Sequence, residues 1–417
     1  MHTTMRTTVI VIGAGQAGLA MSHCLSQNSI EHVLLERGET AQSWRTERWD
    51  SLRLLTPNWL SRLPGWNYQG PDPDGYMKVD EVVDYLDSYR RSFTAPVVTN
   101  TSVESVESTT DGFVVRTNQG EWTALAVVVA TGACSTPKVP GLAADLPAKI
   151  RQIAPIHYRN PDQIEEGGVL VVGASASGAQ IADELQRSGR QVTLAVGDHV
   201  RLPRTYRGMD IHWWMDAIGQ LDERYDEMED ITRARRLPSL QLVGSPEKKT
   251  LDLNSLTQSG VELTGRLAGI AGDKAQFSGS FANMCASADL KQGRLLDRID
   301  EFATDTGLDS ELGLTERPAP TAVPTARTVI DLADLKTVVW ATGFKPNYPW
   351  LDPGLLDAKG AIRHDGGVMD EPGMYVLGLP FTRRRKSSFL DGVGPDATEL
   401  TGHLIGHLDS QVVRTRN

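Results

Sequence analysis

The sequence predicts an α/β protein with two Rossmann-like dinucleotide-binding domains, one of them discontinuous and interrupted by the other. Three observations predict this. Val9-Ile10-Val11-Ile12-Gly13-Ala14-Gly15-Gln16-Ala17-Gly18 is an apolar strand running into a glycine turn and a helix start. Val169-Leu170-Val171-Val172-Gly173-Ala174-Ser175-Ala176-Ser177-Gly178 repeats it at an offset of 160 residues (173 − 13), without a gap into the following strand. The chain, at 417 residues, is also too long for one ordinary core. A single glycine turn is a weak signal. Two copies, each with a strand before and an amphipathic helix after, are a strong one.

The elements follow in order. Residues 7–12 read as a strand and 16–28 as a helix, with Leu19, Ala20, Met21, Cys24 and Leu25 apolar. Val33 to Leu35 form the next strand, ending at Glu36. Residues 40–80 are irregular. Asp80 caps a helix over 81–92, where Val82, Val83, Tyr85, Leu86 and Tyr89 make one stripe. Residues 103–107, 113–117 and 121–124 alternate as short antiparallel strands. Val127 to Ala130 is a buried strand closed by Thr131-Gly132. A Pro/Gly-rich connection through Pro137, Pro140 and Gly141 precedes the second unit, which begins near 165. Residues 206–312 show helical patterns and little strand signal, with Ile211, Trp214, Met215 and Ile218 on one helix face. Residues 316–327, with three prolines, read as a linker. Val338-Val339-Trp340 is another buried strand, closed by Ala341-Thr342-Gly343. Met374 to Leu377 is a strand. A last helix starts near Pro395 and runs through Leu400, Leu404 and Leu408.

Composition excludes several classes. Lys and Arg total 42 against 53 Asp and Glu, a net charge of −11, which argues against a nucleic-acid or anionic-membrane partner. Cys24, Cys134 and Cys285 are scattered and odd in number, which fits a reduced cytoplasmic setting with no disulfide framework, metal site or dithiol relay. The apolar N-terminal stretch reads as the first strand and glycine turn rather than as a signal peptide, and no apolar run approaches the roughly 20 residues that span a bilayer.

In the first turn, Gly13 permits the bend and Gly15 lets backbone approach a diphosphate. Gly18 lets helix and strand pack closely. The helix start at Gln16 and Ala17 offers N–H groups to phosphate. Glu36, followed by Arg37, stands where a carboxylate accepts hydrogen bonds from a ribose. The second turn keeps Gly173, Ser177 and Gly178 but has Ser175 for the middle glycine and Val196 in the place of Glu36. Loss of the acid removes a group that repels a ribose 2′-phosphate. Arg201 and Arg204 either clamp such a phosphate or are surface residues, and Asp198 argues against the clamp. The balance leans to NADPH over NADH. Arg383-Arg384-Arg385-Lys386 reads as a solvated loop or as a neighbour of cofactor phosphates. Met209, Trp213, Trp214 and Met215 read as helix packing, a dimer contact or a pocket wall.

With Ala130-Thr131-Gly132 before the second unit and Ala341-Thr342-Gly343-Phe344 after it, the chain resembles the flavin-containing (group B, single-component) monooxygenases. More broadly it is similar to the two-dinucleotide flavoproteins of the disulfide-reductase type. Ser43-Trp44-Arg45 through Trp49-Asp50-Ser51-Leu52-Arg53-Leu54-Leu55-Thr56-Pro57 is similar to bacterial single-component flavin monooxygenases and plant indole-pyruvate monooxygenases. The resemblance covers nearly the whole chain and is poorest over 206–312. It implies FAD at the first turn and NADPH or NADH at the second. It places Ser43, Trp44, Arg45, Leu52, Leu54 and the rest of 52–58 along the flavin, Val103 at its adenine, and Gly392 and Val393 at its ring. Ala130, Thr131, Gly132, Ala341, Thr342 and Gly343 join the cofactor sites. Thr56 and Asn58 are candidate polar groups at the reacting flavin edge, or else they fasten a loop. The family signature F-x-G-x-x-x-H-x-x-x-(F/Y) is lost at Ala148, Ile150 and Ala154 and survives only at Tyr158. His157 either substitutes off register or is an ordinary loop residue.

The resemblance implies hydride transfer from NAD(P)H to the flavin. Dioxygen is then activated as a C4a-hydroperoxyflavin, and one oxygen atom passes to a small sulfur or nitrogen nucleophile. Two alternatives stand beside it: a reductase or oxidase passing electrons to a quinone or other acceptor, and a non-catalytic nucleotide-sensing flavoprotein. The expected domains are residues 1–164 with 337–417 for FAD, and 165–336 for NAD(P)H with a helical insert at about 206–312. A homodimer is one option for assembly.

Overall fold

The computed structural model describes residues 4–415. The chain opens with a strand at Thr4–Arg6, then β1 (Val9–Ile12), α1 (Gln16–Gln27), β2 (His32–Leu35), the short α2 (Gln42–Thr46), α3 (Val79–Ser92) and β3 (Val97–Val98). An antiparallel meander β4 (Val103–Thr109), β5 (Gly112–Thr117) and β6 (Gly120–Ala124) leads into β7 (Ala126–Val129). Every residue of β1 and β7 is buried. Continuous β-branched runs of this kind suit the centre of a parallel sheet covered on both faces. Ile12 pairs with Val129 on one side and Leu35 on the other. α3 begins at Val79 rather than after Asp80. The Glu81 carboxylate accepts the Lys78 N–H at 2.7 Å, and Asp80 sits in the first turn.

The second unit runs through β8 (Arg151–Ile153), β9 (Gly168–Val172), α4 (Ala176–Arg187), β10 (Gln191–Ala195), α5 (Ile211–Ala217), β11 (Glu262–Thr264), the long α6 (Phe281–Asp305) and β12 (Leu335–Trp340). The chain then returns to the first sheet with β13 (Met374–Val376) and ends in α7 (Leu390–Thr415). The first sheet has the order His364–Asp365, Val368–Met369, β13, β7, β1, β2, β3. The second has the order β8, β12, β9, β10, β11, and its strands are all parallel.

Three expectations from sequence are corrected here. The boundaries at 165 and 337 move outward, because β8 and β12 both belong to the second sheet. β12 pairs with β9 in the register Val172↔Trp340, as β7 pairs with β1. Buried apolar runs of the same composition do not carry the address of their sheet. The 206–312 segment is not a helical block. β11 lies inside it and forms the edge of the nucleotide sheet, and Leu267–Ala271 and Lys274–Phe277 form a small antiparallel sheet with Val329–Asp331. Strands of three to five residues are too short to announce their period. The last helix starts at Leu390, with Pro395 inside its second turn, where the proline forfeits one backbone hydrogen bond.

The core sits on both faces of each sheet. Leu19, Leu34, Val82, Tyr89, Val128, Ala397 and Leu400 pack α1, α3 and α7 onto the first. Ile211, Trp214, Met215, Leu296 and Ile299 form a separate cluster between α5 and α6. Trp214 is fully buried and its indole N–H donates to the Tyr206 carbonyl at 2.8 Å. The Trp/Met stretch is therefore chiefly core. Among the described residues no helix is long and apolar enough to cross a membrane.

Candidate functional site

The two glycine turns have nearly identical backbones. Gly13 has φ +105° and Gly173 φ +106°, a region that favours glycine. The Gly13 N–H donates to the Leu35 carbonyl at 2.8 Å, and the Gly173 N–H to the Ala195 carbonyl at 2.9 Å. A Cβ on Gly18 would lie 1.9 Å from the Gly13 oxygen, and one on Gly178 1.8 Å from the Gly173 oxygen, so both positions are closed by helix–strand contact. Each turn is backed by its own Ala-Thr-Gly segment. A Cβ on Gly13 would meet the Ala130 oxygen at 2.7 Å, and one on Gly173 the Ala341 oxygen at 2.3 Å. The Ala341-Thr342-Gly343 turn thus belongs beside the second site, not the first.

The turns differ where a diphosphate would lie. A Cβ on Gly15 would meet nothing within 4 Å, which leaves room for phosphate against the N–H groups of Gln16, Ala17 and the rest of the α1 start. Ser175 has the same backbone conformation and caps nothing with its own hydroxyl, so its side chain occupies the equivalent space. Beside the first turn, Glu36 is buried. One carboxylate oxygen accepts the Ala14 N–H at 2.8 Å and the other the Gly38 N–H at 3.1 Å. Carboxylate lone pairs remain for two ribose hydroxyls. Backbone bonds from Asn100 to Gly38 and from Thr101 to Glu36 carry the chain past this acid to Val103. Arg37 is exposed and pairs with Glu47 at 2.6 Å. The acid and the open glycine fit an adenosine diphosphate.

Trp44 and the α7 approach meet at the same place. The Trp44 indole N–H donates to the Gln16 side-chain oxygen at 3.3 Å, and the Gln16 amide donates to the Ser388 carbonyl at 3.2 Å. Arg48 lies over the Trp44 ring at 5.1 Å. Ser43 is partly buried on α2, while Arg45 is exposed and donates to the Thr40 carbonyl at 2.9 Å. Gly392 lies in the first turn of α7 rather than before the helix, where a Cβ would lie 1.7 Å from the Lys386 oxygen, and Val393 is fully buried in the core. Sequence reasoning missed Gly378. It follows β13 with φ +80°, and a Cβ there would lie 2.6 Å from the Ala17 Cβ. A Leu-Gly pair closing an apolar strand is the only signal it offered.

The 52–58 segment is the seam between the halves. Leu52 packs on the second core, Leu54 on the first and Leu55 on the α5–α6 cluster. Gly244 presses against it from the second unit, where a Cβ would lie 2.2 Å from the Leu54 oxygen. Asn58 is corrected from a reacting-edge candidate to a loop fastener. Its amide donates to the Asp72 carbonyl at 2.8 Å and its oxygen accepts the Met77 N–H at 2.7 Å, so the buried side chain is committed to backbone. Thr56 is partly buried on the same loop.

The arginine clamp is also corrected. Arg201 is buried and fully engaged by Asp252, Asp289 and the Ala319 carbonyl, with both carboxylates at 2.7 Å. Arg204 is wholly buried. It donates to the Leu55 carbonyl at 2.7 Å and to Asp210 at 2.6 Å, and it lies 4.7 Å over the Tyr76 ring. The Tyr76 hydroxyl donates to the same Asp210 at 2.6 Å. Burial pushes the Asp210 carboxyl up, but the hydrogen bond from His212 and the Arg204 charge overcome this and hold it well below the usual range. Guanidiniums so deeply paired have no fork left for a ribose phosphate.

The basic run is likewise neither solvated nor phosphate-facing. Arg383 pairs with Glu399, Arg384 with Asp396 and Glu399, Arg385 with Glu223, and Lys386 with Asp222 and Asp391. It ties the start of α7 to residues 222–223. An open depression of about 590 Å³ beside it is lined by Arg62, Asp216, Asp222, Lys386 and Asp391. Those charges are already matched, which suits a soft nucleophile poorly. Tyr158, the surviving signature residue, is buried and donates to Glu184 at 2.7 Å, and His157 is exposed.

Two twinned glycine turns at parallel strands of two sheets, joined through one seam, define a two-dinucleotide fold of the kind that flavin- and nicotinamide-dependent oxidoreductases use. A family model for pyridine nucleotide-disulphide oxidoreductases matches residues 10–216. An uncharacterized CzcO-like oxidoreductase of Geobacillus kaustophilus is 35% identical over 403 residues, covering 96% of this chain and 98% of its own. The probable indole-3-pyruvate monooxygenase YUCCA1 of Arabidopsis thaliana is 32% identical over 416 residues, covering 95% and 89%. A flavin-containing monooxygenase from Stenotrophomonas maltophilia shares the fold, with a TM-score of 0.68 at 20% identity over 97% of this chain and all of that one. The chain belongs to the flavin-containing monooxygenase family.

Proposed function

We propose that the protein holds FAD across the first glycine turn and NAD(P)H across the second, and inserts one oxygen atom of O2 into a small sulfur or nitrogen nucleophile. The inequality of the turns carries this reading. The first has an open Gly15 and a buried acid, which suit a tightly held dinucleotide. The second has Ser175 and no acid at Val196, which suits a nicotinamide dinucleotide that comes and goes. On this assignment the FAD half is about 4–150 with 344–415, and the NAD(P)H half is about 151–343.

Bound flavin supplies electron acceptance from the nicotinamide and activation of dioxygen. The chain supplies position and dryness. Glu36 orients the adenosine ribose, and the α1 start takes the diphosphate. The Gln16–Trp44–Ser388 chain of hydrogen bonds locks the helix start, the tryptophan and the α7 approach into one wall. The N–H groups that open α7 offer partial positive charge to an electron-rich ring. Leu52, Leu54 and Leu55 keep the seam apolar. A soft nucleophile needs no acid or base to react, and this wall provides none.

The test is NAD(P)H oxidation by the yellow protein with a panel of thioethers and tertiary amines. Consumption should rise with at least one of them and yield its S- or N-oxide. Electrons that pass only to peroxide or a quinone, whatever the nucleophile, would overturn the reading.

A further inference from the structure

We propose that Arg266 recognises the 2′-phosphate of the nicotinamide cofactor, making the protein NADPH-selective through a residue that follows the third strand of the nucleotide sheet instead of the second. The proposal rests on NAD(P)H occupying the second turn. Its starting point is the end of β10. Val196 takes the same place as Glu36, since each N–H bonds to the neighbouring strand, Glu36 to Val98 at 3.0 Å and Val196 to Thr264 at 2.9 Å. Where the first site has an acid for a ribose, the second has a buried aliphatic side chain.

The next residue, Gly197, has no side chain of its own, and Arg266 fills the gap from across the sheet. A Cβ on Gly197 would lie 3.5 Å from the Arg266 Nε and 3.8 Å from its Nη2. Arg266 is rigidly mounted. A Cβ on the preceding Gly265 would lie 1.9 Å from the Ser278 oxygen, and the Ser278 N–H donates to the Arg266 carbonyl at 2.8 Å. The backbone is thus pinned between β11 and the small antiparallel sheet, while the guanidinium stays half exposed at the carboxyl end of the parallel strands. That edge is where a Rossmann fold receives adenosine ribose.

Among the described residues Arg266 has one ionic partner, Asp198 at 2.9 Å, and the two side chains are 55% and 71% exposed. This contrasts with Arg201 and Arg204, which are locked in the interior. An exposed pair exchanges readily, so a phosphate dianion can take the guanidinium fork and leave Asp198 to water. Asp198 then acts as a placeholder that weakens NADPH binding without conferring NADH binding.

Calorimetric titration of the flavin-loaded protein with 2′,5′-ADP and with 5′-ADP tests this without turnover. The wild type should bind 2′,5′-ADP about tenfold or more tightly than 5′-ADP. Arg266→Gln should erase that preference while keeping 5′-ADP affinity, and Asp198→Asn should enlarge it. Equal binding of both probes by the wild type, or a preference that survives Arg266→Gln, overturns the role of Arg266 and leaves the cofactor assignment standing. If neither probe binds nor competes with NAD(P)H, the assignment of the second turn fails and the proposal fails with it.

Discussion

Gly15→Val will fold as the wild type does and purify without flavin, whereas Gly18→Val will not fold stably. Gly15 has φ −83°, which any residue adopts, and a Cβ there meets no protein atom within 4 Å. The protein itself therefore tolerates the side chain, at about 1 kcal/mol for a poor helix cap. Only a diphosphate would object, because valine fills the space its oxygens need against the α1 start. Gly18 is the opposite case. Its Cβ would sit 1.9 Å from the Gly13 oxygen, so α1 would have to leave β1 and take the buried Leu19, Met21 and Leu25 with it. Absorbance near about 450 nm and a melting curve on each variant separate the two outcomes. A Gly15→Val protein with a full complement of flavin would mean that the first turn does not hold the diphosphate.

Arg204→Ala will cost about 3–5 kcal/mol of stability, and the double variant Arg204→Met/Asp210→Asn will recover a large part of that loss. Arg204 is wholly buried between Asp210, the Leu55 carbonyl and the Tyr76 ring. Removing it strands the Asp210 carboxylate and unpins the 52–58 seam together. Removing both charges leaves no buried ion to solvate. The sign with pH follows. The Asp210 carboxyl is held below its unfolded value, so its contribution is complete above about pH 4 and is lost as pH falls toward its native value. Denaturant midpoints at neutral pH and near pH 3 check both statements. Wild type should lose stability over that interval more steeply than the double variant. An Arg204→Ala protein within about 1 kcal/mol of wild type would show that the network is not what holds the seam.

The twin turns were legible because each stage of the signal agreed: apolar strand, glycine at a left-handed bend, and helix. The matched φ values at Gly13 and Gly173 and the matched bonds to Leu35 and Ala195 put the 160-residue offset into three dimensions. Partnership between distant segments was not legible. Val338-Val339-Trp340 could sit in either sheet by composition, and only pairing with Val172 decides it. Arg201, Arg204 and Arg383 to Lys386 look like surface cations in a one-dimensional reading. Arg201 and Arg385 find their carboxylates far away in sequence, at Asp252, Asp289 and Glu223, while Arg204 finds Asp210 nearby on a fold of the chain that the one-dimensional reading does not show. Arg266 was invisible for the same reason. Its partner in space is the missing side chain of Gly197. For Asn58 the sequence left two tasks open, and the structure chooses the loop-fastening one, because an amide committed to two backbone groups has the same letter as a free one.

The central claim is that two electrons from the nicotinamide at the second turn reduce dioxygen at the first, one oxygen atom passing to the nucleophile and the other leaving as water. Turnover under ¹⁸O2, with NADPH and a thioether that stimulates its consumption, tests this most directly. The account predicts a sulfoxide carrying one ¹⁸O atom for each NADPH oxidised. A sulfoxide without label, or labelled peroxide formed in step with NADPH and no labelled product, would contradict it.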